Sequence, residues 1–186
     1  MPSIVTITLN PCIDKSTTIA SLKPEKKLRC TQPVFEPGGG GINVARAIHK
    51  LGGEVAAIYP SGGYSGKFLN ILIEKEGVYS KVIETREHTR ENLIVLDKAS
   101  NLQYRFGMPG QELQEDEWIS CMEMVRSAAA TYVVASGSLP PGVPDDILAQ
   151  IAGISREVGS RFVVDSSGIA LKLALEKGAY LMKPNI

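Results

Sequence analysis

The sequence predicts an α/β fold in which helices cover both faces of a mostly parallel sheet. Three observations carry that expectation. Short, β-branched apolar runs alternate with amphipathic runs of helical period. Glycine-rich turns stand between strand and helix patterns, at Gly38–Gly41 and again at Gly62–Gly66. No repeat and no low-complexity linker interrupts the order, so one domain is expected.

Taken in order, Ile4 to Leu9 is β-branched and ends at Asn10-Pro11, as a buried strand does. Cys12 to Ala20 and Lys27 to Phe35 carry threonines and charges and read as strands with one wet face, more a flap than a core. Next comes Pro37-Gly38-Gly39-Gly40-Gly41-Ile42-Asn43. Four glycines without Cβ atoms let a ligand approach bare backbone. A helix follows, with Val44, Ala47, Ile48 and Leu51 at apolar spacing and Gly52 as its stop. Its open N–H groups and dipole suit an oxygen-rich ligand. Glu54 to Tyr59 is a second core strand, and Ser61–Gly66 turns into a helix with Phe68/Leu72 and Leu69/Ile73 four apart.

The middle changes character. Asn92 to Asp97 and Leu102 to Phe106, linked by Lys98–Asn101, read as a hairpin; Leu102, Tyr104 and Phe106 alternate with polar residues as on a half-buried sheet. This pair is expected to join the flap strands as a lid or dimer surface. Regular alternation then resumes. A helix carries Trp118, Cys121, Met122 and Val125, and a strand (Tyr132–Ala135) leads to Ser136-Gly137-Ser138. The next helix has Ile147, Ile151, Ile154 and Val158 on one face, and the strand after it (Arg161–Val164) ends at Asp165-Ser166-Ser167. The last helix (Leu171–Lys177) and a short strand (Ala179–Met182) precede Lys183-Pro184-Asn185.

Composition excludes several classes. Twenty basic residues balance twenty acidic ones, so bulk charge suggests neither nucleic acid nor an anionic membrane. Cys12, Cys30 and Cys121 fit neither a disulfide framework nor a zinc pattern. No run approaches membrane-spanning length and the start lacks a signal-peptide pattern, so a cytoplasmic protein is expected. His49 and His88 have no partner suggested and read as surface residues. A P-loop would need Gly-Lys-Ser/Thr where Gly41-Ile42-Asn43 stands, and a dinucleotide fingerprint would want a small residue at 43.

Ligands of open parallel sheets collect beyond the carboxyl ends of the strands. Polar or glycine residues recur there: Asp14, the glycine turn, Ser136–Ser138, Asp165–Ser167 and Lys183–Asn185. Asp14 suits two sugar hydroxyls, or a simple turn. Lys27, Arg29 and Arg90 fall on flap segments, where they would close over a phosphate or stay solvated.

Together these residues resemble the ribokinase-like family of sugar kinases, and within it the ribokinase-type 6-phosphofructokinases. The likeness is carried by Thr8–Asp14, Lys27–Cys30, Val34–Ile48 with its glycine run, Thr89–Asn92, Tyr104–Phe106 with Met108–Gly110, Gly137–Gly142 and Lys183–Asn185. The resemblance implies a three-layer α/β/α sandwich with a small β lid, its strands inserted at about 12–36 and 88–107. It implies transfer of the ATP γ-phosphate to the 1-hydroxyl of fructose 6-phosphate, with Mg²⁺. Asp14, Gly38, Gly39, Gly40 and Asn43 would hold the sugar; Lys27, Arg29, Arg90 and Ser138 would bind its phosphate end. Lys183 and Asn185 would begin the nucleotide and magnesium region, and lids shared between subunits imply a homodimer. Within the family, 1-phosphofructokinase and tagatose-6-phosphate kinase are the alternatives; outside it, a non-catalytic sugar-phosphate binder or dimerising fragment.

Two departures stand out. The family's catalytic aspartate lies in a Gly-Ala-Gly-Asp turn well past Lys-Pro-Asn, and these 186 residues contain none. No catalytic residue is therefore assigned, and the polypeptide is expected to be the amino-terminal part of a kinase, inactive alone. Gly63-Tyr64-Ser65-Gly66 also lacks an aspartate that many relatives carry there.

Overall fold

The computed structural model describes residues 2–183. Its elements are β1 (Ile4–Ile7), β2 (Cys12–Ile19), β3 (Val34–Gly38), α1 (Gly40–Lys50), β4 (Val55–Gly62), α2 (Gly63–Lys75) and β5 (Ser80–Thr85). After these come β6 (Arg90–Asp97), β7 (Leu102–Phe106), α3 (Glu115–Ala128), β8 (Tyr132–Ser136), α4 (Ile147–Glu157), β9 (Arg161–Asp165), α5 (Gly168–Lys177) and β10 (Leu181–Met182).

Six strands form the main sheet in the order β10-β9-β8-β1-β4-β5, every pair parallel. The two faces of β4 show how it is covered. Val55, Ala57 and Tyr59 pack with Ile42, Ala45, Leu69 and Ile73 of α1 and α2. Ala56 and Ile58 face the other way, into a core with Cys121 and Val125 of α3, Ile147 and Ile151 of α4, and Ala170 and Ala174 of α5. A strand buried on both faces reads as a near-continuous apolar run, and β4 is buried throughout, apolar from Val55 to Pro60 with Ser61 beyond. Each fully buried Ile or Leu here contributes about 1.5–3 kcal/mol of transfer free energy. The fold is thus the three-layer α/β arrangement expected from the alternation.

A second sheet has the order β3-β2-β6-β7. Here β2 pairs with β3 antiparallel and with β6 parallel, and β6 pairs with β7 antiparallel. Cys12 stands opposite both Gly38 and Arg90, and Asp14 opposite Asn92. Side chains alternate between faces along a strand, so Asp14, Asn92, Ile94 and Arg105 share one face.

Several expectations are corrected. The strand expected over Lys27 to Phe35 is confined to Val34–Gly38. Pro24 and Pro33 cannot donate to a ladder, and Glu25 takes a left-handed turn at φ 56°. The intervening segment is mostly exposed and tied to β2 through Thr31, whose N–H donates to Thr18 O (2.9 Å). Helix α1 begins inside the glycine run and buries Gly41, Ile42 and Ala45, not the face holding Ala47 and Leu51. Leu51 is 88% exposed. Glycines counted as turn are the first buried turn of the helix, which shifts the inward stripe. The edge strand β5 was not anticipated, because only Val82 and Ile83 of Ser80-Lys-Val-Ile-Glu-Thr85 are apolar. On β7 only Tyr104 is half-buried; Leu102 and Phe106 are exposed, since no layer covers that strand.

Candidate functional site

The parallel register brings the carboxyl ends of β1, β4, β8 and β9 to one edge, with Ile7 beside both Ile58 and Ala135, and Ser136 beside Asp165. The strand order reverses around β1, and α1 starts above that point. Its first turn is sewn to the sheet. Thr8 Oγ1 accepts from Ile42 N–H at 2.7 Å, and Asn43 N–H donates to Gly39 O at 2.9 Å. One of the helix's open donors is thereby consumed by the protein itself.

The glycines of this turn have distinct duties. Gly39 has φ 113°, a conformation that excludes side chains. A Cβ on Gly38 would stand 2.5 Å from Asp14 Oδ2. One on Gly40 would meet Ser136 Oγ at 2.3 Å and the backbone of Gly137 at 2.8 Å, and one on Gly41 would meet Ile7 O at 2.6 Å. The missing side chains at 38, 40 and 41 therefore let protein approach protein. Of the four, Gly39 alone lines the cavity, and a Cβ there would also meet Thr8 Cγ2 at 2.6 Å.

That cavity, of about 330 Å³, lies over the start of the four-stranded sheet and is lined by Cys12, Asp14, Gly39, Arg90, Asn92, Leu93, Ile94, Arg105, Phe106 and Gly107. Arg90 is held by three main-chain oxygens, those of Pro11 (3.4 Å), Asn10 (3.1 Å) and Met108 (3.1 Å). Its strand is set by the second glycine turn. Thr89 N–H donates to Gly62 O (3.0 Å), Gly62 N–H to Thr89 Oγ1 (3.1 Å), and Ser65 Oγ to Thr89 O (2.6 Å). Burial first, and the neighbouring Asp14 charge second, push the Cys12 thiol up to about 12, with Arg90 pulling the other way. Cys12 is therefore a neutral lining group and no nucleophile.

Arg46 braces the turn from outside. Its guanidinium makes two 2.7 Å bonds to Glu76 and reaches Pro37 O (3.0 Å) and Asn43 Oδ1 (3.1 Å). Hydrogen bonding to Arg46 holds the Glu76 carboxyl below its ordinary value, against a smaller opposing effect of burial. On the other side of the turn, Asn10 Nδ2 donates to Ser138 Oγ at 3.0 Å. Ser136 Oγ bonds Asp165 Oδ2 (3.1 Å), and Lys183 Nζ pairs with Asp165 at 3.3 Å.

Of the residues singled out from sequence, Asp14, Gly39 and Arg90 meet in the cavity. Gly38, Gly40, Asn43 and Ser138 do not line it: Gly38 abuts Asp14, Gly40 packs on Ser136, Asn43 is held by Arg46 and Ser138 by Asn10. Lys27 and Arg29 do not join them; both are exposed on the segment between β2 and β3. Asn185 lies outside the described residues. Asn92 and Arg105 stand in the Thr89–Asn92 and Tyr104–Phe106 motifs but were given no site role. Strand pairing brings them in: the parallel β2–β6 and antiparallel β6–β7 ladders are invisible until the strands are known to be neighbours. A wider groove of about 640 Å³, lined among others by His49, Glu54 and Tyr79, lies at the amino ends of the strands, away from this cluster. No described helix is long and apolar enough to cross a membrane.

Comparison with known proteins agrees with this arrangement. The family described as "pfkB family carbohydrate kinase" matches residues 3–186. The ATP-dependent 6-phosphofructokinase isozyme 2 of Escherichia coli is 49% identical across the whole chain, and that of Mycobacterium tuberculosis is 41% identical. The chain spans 60% and 55% of their respective lengths. The structure of Escherichia coli phosphofructokinase-2 in complex with fructose-6-phosphate superposes with a TM-score of 0.94, covering 100% of this chain and 62% of that one. A possible 1-phosphofructokinase from Thermotoga maritima superposes at 0.90 with 27% identity, covering 98% of this chain and 60% of that one. On these grounds the chain belongs to the pfkB family of carbohydrate kinases.

Proposed function

We propose that the 186 residues are the sugar-phosphate-binding portion of an ATP-dependent 6-phosphofructokinase, which phosphorylates the 1-hydroxyl of fructose 6-phosphate. The observation that carries the reading is the convergence of a carboxylate (Asp14), two guanidinium groups (Arg90, Arg105) and the bare backbone of Gly39 on one cavity. A carboxylate accepts from sugar hydroxyls, and guanidinium groups match phosphate oxygens. Gly38, Gly40 and Asn43 shape the sugar side of the site, and Ser138, bonded to Asn10, supports its far wall. Lys27 and Arg29 add positive charge when their segment closes over the bound phosphate. The similarity to relatives called 6-phosphofructokinase supports this choice over the 1-phosphofructokinases, which share less of the sequence.

Magnesium and ATP belong to the same reading. Among the described residues Lys183 Nζ pairs with Asp165 at 3.3 Å, and its exposed ammonium is placed to meet a nucleotide phosphate. Magnesium would arrive with the nucleotide, held through its phosphate oxygens. Bound Mg–ATP supplies the phosphoryl group and neutralises the charge that develops on it. The role of these residues is to orient the acceptor hydroxyl; the proposal assigns none of them as its base. The four-stranded sheet acts as the lid. Exposed Val34, Leu102 and Phe106 on its strands support a second copy of the chain as its partner.

Isothermal calorimetry tests the reading. Fructose 6-phosphate should bind more tightly than fructose 1-phosphate or tagatose 6-phosphate, without ATP turnover. Arg90→Ala should weaken fructose 6-phosphate far more than fructose. Equal loss for both sugars removes Arg90 from the phosphate site, and turnover by this polypeptide alone refutes the assignment of a binding role only.

A further inference from the structure

Asn92 faces the cavity from β6, beside Asp14 across the β2–β6 ladder. The amide is fully engaged: Nδ2 donates to Asp14 Oδ1 at 3.0 Å and to Cys12 Sγ at 3.2 Å, while Oδ1 accepts from Met108 N–H at 3.1 Å. The two ends of the amide cannot be exchanged. An ionised carboxylate only accepts and a backbone N–H only donates, so the network fixes which end points where.

The consequence falls on Asp14. Oδ1 receives Asn92 and, at 3.4 Å, the Cys12 thiol. On the Oδ2 side lies Gly38, where a Cβ would stand only 2.5 Å away. The carboxylate is thus clamped through one oxygen and has room at the other only because residue 38 is glycine. Among the described residues, Oδ2 has no hydrogen-bond donor. Ligand hydroxyls then meet an acceptor whose direction is already set, and a fixed direction avoids an ordering cost on binding.

We propose that Asn92 is a positioning residue, whose amide locks the Asp14 carboxylate in the orientation that receives the sugar. This rests on the reading of Asp14 as the sugar's carboxylate. Asn92 also joins the site to the segment after β7, because Met108 is held through its N–H by Asn92 and through its carbonyl by Arg90. The residue that positions Asp14 and the residue assigned to the phosphate therefore grip Met108 through its N–H and its carbonyl.

The test is a double-mutant cycle read by calorimetry with fructose 6-phosphate. Asn92→Ala should raise Kd roughly ten- to a hundredfold, the factor carried by one hydrogen bond to a charged group. In an Asp14→Asn background the same change should add less than about twofold, because coupled residues are not additive. Asn92→Asp keeps the shape but sets a second carboxylate against the first, and should lose at least as much affinity. A merely structural role lowers the thermal midpoint yet costs the same factor in both backgrounds. That additive result, or parental affinity in Asn92→Asp, overturns the proposal. Failure of the parent chain to bind fructose 6-phosphate would instead remove the functional reading on which it rests.

Discussion

A single methyl group added at Gly40 should loosen α1 from β8. The new Cβ would sit 2.3 Å from Ser136 Oγ, 2.7 Å from Ser136 C and 2.8 Å from Gly137 N. The hydroxyl has a second option only if it gives up its 3.1 Å bond to Asp165. The other two atoms are main chain and cannot rotate away, so helix and strand must part by several tenths of an ångström. Overpacking of this kind typically costs about 1–3 kcal/mol. For a chain of this size each kcal/mol moves the midpoint by about 2–4 °C, so Gly40→Ala should melt about 2–12 °C below the parent. Gly107→Ala is the control for the melting midpoint alone, because a Cβ there meets no heavy atom within 4 Å although the residue lines the cavity. Thermal unfolding followed by circular dichroism, paired with a fructose 6-phosphate titration, gives both readouts. A parental midpoint combined with lost sugar affinity would refute the reasoning, since Gly40 would then serve ligand approach and not packing.

Two further outcomes follow from the electrostatics. Glu76 is held below its ordinary 4.5 chiefly by hydrogen bonds from Arg46, so the stability it adds is complete above that value and fades as pH falls through the depressed one. The urea midpoint gap between parent and Glu76→Gln should be constant above about pH 6 and narrow below about pH 4; a gap unchanged to about pH 3 contradicts the linkage. Burial pushes the thiols of Cys12 and Cys121 up to about 12, whereas Cys30 is exposed. At about pH 8 a thiol reagent should label one cysteine quickly in the native protein and three in denaturant, and a second fast native thiol would contradict that burial.

Much of this molecule was legible in its sequence, for identifiable reasons. Fully buried strands such as β4 announce themselves by unbroken apolar runs, and α4 by Ile147, Ile151 and Ile154 at helical spacing. Asp14, Gly39 and Arg90 could be nominated because each stands in a long, specific motif. The inward stripe of α1 was misread because glycine carries no hydrophobic signal, although Gly41 is buried. The purpose of the glycine run was half hidden for the same reason: a missing side chain does not say whether ligand or protein fills the gap. Only the neighbours Ser136 and Ile7 decide that, and they lie far away in sequence. Arg46 and Glu76 were passed over because their pairing depends on α1 and α2 lying side by side.

Strands β2 and β6 lie directly against each other, yet Asn92 and Asp14 are 78 positions apart along the chain. Closing so long a stretch is entropically slow, and parallel ladders give nothing back until both members are present. On a ribosome, then, the surface proposed to receive the sugar cannot exist until roughly half of these residues have emerged. The helices α1 and α2 can already have docked on β4 by that time. The proposed recognition would thus be a late acquisition of the nascent protein, and a chaperone meeting it earlier would see a tidy layer beside a β2–β3 pair with one open edge.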